Sequence, residues 1–120
     1  MKEARLAQDY LSDILEAMDK ARTFVAGMTL ESFCADEKTS YAVIRCLEIV
    51  GEATKKIPIE VRRECTDVPW SLLAGMRDKL IHDYFGVSLE IVWKTVEEDI
   101  PAVRAKLEVV LSNIQLKESL

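Results

Sequence analysis

Asp36-Glu37-Lys38-Thr39-Ser40-Tyr41-Ala42-Val43-Ile44-Arg45-Cys46-Leu47-Glu48-Ile49-Val50-Gly51-Glu52-Ala53-Thr54-Lys55-Lys56-Ile57 is the stretch that decides the fold. Ala42, Val43, Cys46, Leu47, Ile49, Val50, Ala53 and Ile57 recur at helical intervals and cover most of the circumference. Arg45, Glu48, Glu52 and Lys55 are left as one narrow polar stripe. A helix with so little polar surface belongs at the centre of a domain, touching neighbours on several sides. Asp36 suits its N-cap, because a carboxylate there accepts an otherwise unpaired backbone N–H. The helix is expected to end near Lys56.

Outward from this centre, other segments carry narrower apolar stripes. Leu6, Tyr10, Ile14, Met18, Ala21, Val25 and Met28 predict a first helix from about residue 3 to about Ala26, with Gly27 near its C-terminal end. Thr29 to Ala35 reads as a connection. Pro58 suits the first turn of a short helical piece through about Glu64. Asp67-Val68-Pro69 opens a helix with Trp70, Leu73, Met76 and Leu80 on its buried side. Ser88 can cap a further helix with Leu89, Val92, Trp93 and Val96 facing inward. Asp99 and Pro101 predict a break and restart, and Val103, Leu107, Val110, Leu111 and Ile114 line the last helix. The expectation is an all-α fold, an antiparallel helical bundle of about five helices, forming a single domain over residues 1–120.

Composition agrees. Four Gly and three Pro in 120 residues leave few breakers, and 49% apolar with 31% charged residues is a globular balance. The net charge of −5 argues against a broad basic face, so contact with nucleic acid must be local, built from a few Arg and Lys residues in a cleft. Cys34, Cys46 and Cys65 form no Cys-x-x-Cys pair and the chain has one histidine, so no zinc site and no cofactor is expected. The thiols read as buried and free in a reducing cytosol. The charged start and the lack of a long apolar run predict a cytoplasmic protein with no membrane contact.

The chemistry concentrates in Arg77-Asp78-Lys79-Leu80-Ile81-His82-Asp83-Tyr84. His82 can take and give a proton near neutral pH. Arg77 offers a fork-shaped permanent cation suited to phosphate, and Tyr84 adds a modifiable hydroxyl. Together these are the parts of a site that cuts phosphodiesters. On a continuous helix, positions five apart point roughly 140° away from each other. Arg77 and His82 therefore converge only if the helix loosens around His82, or if the site is assembled from two chains. Metal-free cleavage of RNA through the 2′-hydroxyl works best with both a base and an acid. One chain has a single imidazole, whereas a two-fold homodimer supplies two imidazoles and two guanidiniums. Asp78 and Asp83 could orient His82 or raise its pKa; alternatively Lys79 and Asp83 form a surface ion pair. Glu52 could border the cleft. Other readings of the same residues remain open: His82 as a hydrogen-bonded core residue, Arg77 as a surface charge, Tyr84-Phe85 as core aromatics.

The wording of the chain supplies more. Arg77 to Val87 resembles the Arg, four residues, His, one residue, Tyr signature of the HepT-like toxins, a branch of the HEPN superfamily. Phe33 and Asp36, Arg45 to Ala53, Pro69-Trp70, Val92-Trp93 and Asp99-Ile100-Pro101 agree in order and distance, so the resemblance spans about residues 6 to 114. It implies a small helical homodimer with a metal-independent ribonuclease site at the dimer interface, in which Arg77 and His82 are catalytic. It also implies the toxin role in a prokaryotic toxin–antitoxin pair, beside a minimal nucleotidyltransferase antitoxin that transfers AMP onto Tyr84. Two other functions compete with this one: a non-catalytic helical docking subunit for the nucleotidyltransferase, and a regulator in which Arg77 grips a mononucleotide phosphate.

Overall fold

The computed structural model describes residues 6–82 and 88–118, and of residues 77–82 the backbone alone. Every regular element among them is helical: α1 (Ala7–Val25), α2 (Leu30–Ala35), α3 (Glu37–Lys55), α4 (Ile59–Glu64), α5 (Trp70–His82), α6 (Leu89–Lys94), a π-helical turn (Thr95–Asp99) and α7 (Ile100–Glu118). Since α6, the π turn and α7 run on without interruption, the described residues form six rods against the expected five or so.

The central helix is α3. Val43, Cys46, Leu47, Val50 and Ala53 are buried along it, and it packs against α1, α2, α5 and α6. So many partners explain why apolar side chains occupy most of its circumference. Asp36 caps it as expected: one carboxylate oxygen accepts the Thr39 N–H at 3.0 Å and the other the Thr39 hydroxyl at 2.9 Å. Those hydrogen bonds hold the Asp36 carboxyl below its ordinary pKa.

Helix α1 buries Leu11, Ile14, Leu15, Ala17, Met18, Ala21 and Val25 and ends at Gly27, whose φ of 78° is the left-handed conformation that glycine adopts freely. It runs antiparallel to α7, since Asp19 pairs with Arg104 while Arg22 reaches back to Glu97. The Asp19–Arg104 pair is bidentate at 2.6 and 2.9 Å, and Arg104 also holds Glu108 at 3.0 Å.

Three expectations need correction. The supposed connection Thr29 to Ala35 contains α2, opened by a reciprocal cap in which Thr29 and Ser32 exchange backbone and side-chain hydrogen bonds. Phe33 is completely buried and its ring meets that of Trp93 at 5.4 Å between centroids, tilted by 43°. That contact fastens α2 to α6. The predicted break at Asp99 and Pro101 is instead a π turn, with the Ile100 N–H bonded to the Thr95 carbonyl. A proline within a helix lacks a donor and its ring collides with the carbonyl four residues back. One extra residue in the preceding turn shifts the carbonyls and lets the rod continue through Pro101. The buried-thiol expectation holds for Cys46 alone, because Cys34 is exposed and Cys65 half-buried.

Candidate active site on helix α5

The motif helix is anchored at its N-terminal end. The Trp70 ring is buried, and its indole N–H donates to the Cys65 carbonyl at 2.9 Å. Arg62 clamps the preceding corner, donating from Nε to the Ile57 carbonyl at 3.1 Å and from Nη2 to the Thr54 carbonyl at 2.9 Å. Lys106 of α7 donates to the Asp67 carbonyl at 3.1 Å. From this base Trp70, Leu73 and Met76 enter the core, and α5 lies along α3. The buried stripe is the one the sequence predicts, as far as Met76.

The backbone of α5 continues as helix through His82, so register fixes where the motif positions stand. Position 82 is nine residues beyond Leu73, about half a turn from it around the axis, hence on the face opposite the buried stripe. Position 77 lies only about 40° from Leu73, at the border of the packed face. The two are roughly 140° apart on one unbroken helix, so the backbone up to His82 does not loosen to bring them together. Position 78 falls four residues before 82 on the same outward face. Asp83 and Tyr84 lie outside the described residues.

Ser71 and Gly75 continue the outward face toward the N-terminus, at four-residue intervals from each other. Ser71 is exposed, and a methyl group built on Gly75 meets no atom of the other described residues within 4 Å. Packing among the described residues therefore gives no reason for a glycine in mid-helix, where it costs about 1 kcal/mol relative to alanine. The four- and seven-residue spacings of Ser71, Gly75 and His82 are the signal of this small-residue stripe in the sequence.

Glu52 stands on α3 near Arg45, whose guanidinium lies 3.8 Å from its carboxylate and 3.6 Å from that of Glu48. Glu52 also lines a shallow groove between α1 and α3, of about 180 Å³, together with Tyr10, Asp13 and Lys56. Among the described residues its neighbours thus include the polar stripe of α3 and the groove beside α1. Burial pushes the Cys46 and Cys65 thiols above their ordinary pKa, with Glu64 and Asp67 adding to the shift at Cys65. Both are held as thiols rather than reactive thiolates. Among the described residues no group of His, Cys, Asp and Glu is arranged to hold a metal ion, and no described helix is long and apolar enough to cross a membrane.

Comparison with known proteins agrees with this architecture. A model of the Ribonuclease HepT-like family matches residues 14–110. A protein of Thermococcus cleftensis named "Probable ribonuclease HepT" is 50% identical over 104 residues, covering 87% of this chain and 94% of its own length. Two proteins of Methanocaldococcus jannaschii with provisional RNase names are 45% and 44% identical, covering 91% and 90% of this chain and 90% and 93% of their own. No solved structure gives a significant match. The all-helical chain, matched by that model over four fifths of its length, belongs to the HepT-like ribonuclease family.

Proposed function

We propose that this protein is a metal-independent RNA endonuclease that works as a two-fold homodimer, the toxin of a prokaryotic toxin–antitoxin pair. The observation that carries the reading is the register of α5. Its outward face holds position 82, an exposed Ser71 and Gly75, where a built Cβ meets no described atom within 4 Å. Small residues let two helices approach closely, and a second α5 across a two-fold axis would fill that space. The same axis would bring two copies of His82 to one groove, each accompanied by an Arg77.

In that groove one imidazole takes the proton of the 2′-hydroxyl, whose oxygen then attacks the adjacent phosphorus. The bond from phosphorus to the 5′-oxygen breaks, and the second imidazole, protonated, delivers its proton to the departing oxygen. The products are a 2′,3′-cyclic phosphate and a 5′-hydroxyl. The Arg77 guanidiniums hold the phosphate and stabilise the charge growing on its non-bridging oxygens. Asp78, four positions before His82, is suited to orient the imidazole.

Tyr84 is the proposed target of the nucleotidyltransferase antitoxin. Its phenol oxygen attacks the α-phosphorus of ATP, pyrophosphate leaves, and the attached AMP places a bulky base and a negative charge beside Arg77, where both compete with RNA. The chain as a whole acts as one catalytic domain, in the cytoplasm.

The test uses purified protein and single-stranded RNA. Wild-type protein is expected to cleave in the presence of a chelator, and Arg77→Ala and His82→Ala to lose cleavage by about 100-fold or more while keeping the helical circular-dichroism spectrum. Full activity in both variants would refute the catalytic assignment. No cleavage by the wild-type protein at any concentration would favour the docking-subunit alternative.

A further inference from the structure

In addition to the cutting site, we infer a second RNA-binding site, a cleft at the opposite end of α5 that holds phosphates of the strand a few nucleotides from the bond being cut. It rests on the ribonuclease reading above for its ligand. The cleft, about 500 Å³, lies where α4 turns into α5, between Arg62, Arg63, Thr66 and Ser71. Ile59 and Leu72, both about half exposed, give it an apolar floor.

The charge of the lining singles it out. The groove beside α1 and α7 contains Glu16 and Asp19, the two between α1 and α3 contain Asp13 with Glu16 or Glu52, and the cleft between α4 and α7 contains Glu64. The α4–α5 cleft alone among these has two guanidiniums and no carboxylate in its wall. Neither acidic residue of α4 lines the cleft, and Glu64 pairs with Lys117 at 3.4 Å. The other clefts set a lysine against their carboxylates, so in a chain of net charge −5 a polyanion is drawn to the local reversal of sign at the α4–α5 cleft.

Its chemistry fits a single strand. Arg62 is fixed by its bonds to the Thr54 and Ile57 carbonyls, so its charge stays at the wall without further loss of side-chain freedom. Arg63 is exposed and free to form a bidentate contact with a phosphate. Thr66 and Ser71 add hydroxyls for phosphate or ribose oxygens, and Ile59 and Leu72 give a base an apolar surface to lie on. From Trp70 the helix rises about 10 Å to Arg77 and about 18 Å to His82, so a strand following α5 would occupy both sites at once.

The experiment measures binding of a fluorescein-labelled, unstructured 12-nucleotide RNA by polarisation, with His82→Ala protein so that no cleavage intervenes. Arg63→Glu in that background is expected to raise Kd roughly tenfold and to flatten the dependence of log Kd on log salt by about 0.7 per lost phosphate contact. Arg63→Lys should restore most of the salt dependence. A Kd and slope unchanged by Arg63→Glu would overturn the inference, including when wild-type protein cleaves RNA normally. Binding that depends on Arg63 without any cleavage by the wild-type protein would instead overturn the ribonuclease reading and leave this site standing. Absence of RNA binding would overturn both.

Discussion

Gly75 offers the sharpest test of the two-chain site, because the two assemblies predict effects of opposite sign. The residue sits within α5, away from either end, and its backbone is not among those with positive φ. A Cβ built there meets nothing within 4 Å. If the protein works as a single chain, Gly75→Ala should simply reduce backbone freedom in the unfolded state and stabilise the fold by about 0.5–1 kcal/mol. If two α5 helices cross there, each dimer gains two methyl groups at a tight contact. Overpacking of that kind costs about 1–3 kcal/mol, which weakens dimerisation roughly five- to 150-fold. Gly75→Leu should then yield folded monomers. Sedimentation velocity over a range of concentrations reads the association, and urea unfolding at fixed concentration reads the fold. Cleavage activity should fall in step with the dimer fraction and return at high protein concentration. A Gly75→Leu protein that dimerises as tightly as wild type, or that cuts RNA as a monomer, would refute the reasoning.

Other regions give independent tests. Phe33→Ala should destabilise the protein by about 3–5 kcal/mol, because the ring is fully buried and faces Trp93 at 5.4 Å; urea unfolding followed at 222 nm checks this, and a loss below about 1 kcal/mol would show that α2 is not integral to the core. The Arg104 hydrogen bonds hold the Asp19 carboxyl below its ordinary pKa of 3.8, so their stabilisation is complete above that value and is lost as pH falls through and below it. Asp19 is half exposed, which limits the pair to about 1 kcal/mol; Arg104→Ala should remove that amount at pH 7 and much less at pH 2, as measured by denaturation across pH. Thiol titration with a disulfide reagent at pH 8 should modify the exposed Cys34 first and Cys65 more slowly, with Cys46 modified only on unfolding; rapid reaction of all three would contradict the burial that raises the Cys46 pKa.

What could be read without coordinates followed from periodicity and capping. The stripe from Ala42 to Ile57 located the central helix, and Asp36, Pro58 and Ser88 marked starts that the structure retains. Two elements escaped for physical reasons. Helix α2 is six residues long, too short to display a period, and its cap is a Thr–Ser exchange rather than the usual pairing with Glu or Gln. Pro101 appeared to end a helix because local rules count the missing donor but not the π turn that accommodates it. At the candidate site, the family wording of Arg77, His82 and Tyr84 was legible, whereas the face each position occupies depended on α5 staying helical to His82. The cleft beside Arg62 and Arg63 was illegible because it forms only where the corner between α4 and α5 brings residues of both helices to one wall.

The division of α5 into two halves connects these results. Its first half is fixed by the Trp70 hydrogen bond, by the Arg62 clamp before it and by Leu73 and Met76 in the core. Its second half carries the motif, with position 77 beside the packed face and position 82 opposite. A helix held so firmly at one end cannot rotate to bring those two positions together, since turning one toward a ligand turns the other away. In the proposed dimer a two-fold axis would remove the conflict, because the imidazole of one chain would need only to meet a phosphate that the other chain also reached. Rigidity of the anchored half would then serve the proposed chemistry: it would fix the height and angle at which the second half is presented, so that two identical helices could form one groove without either having to bend.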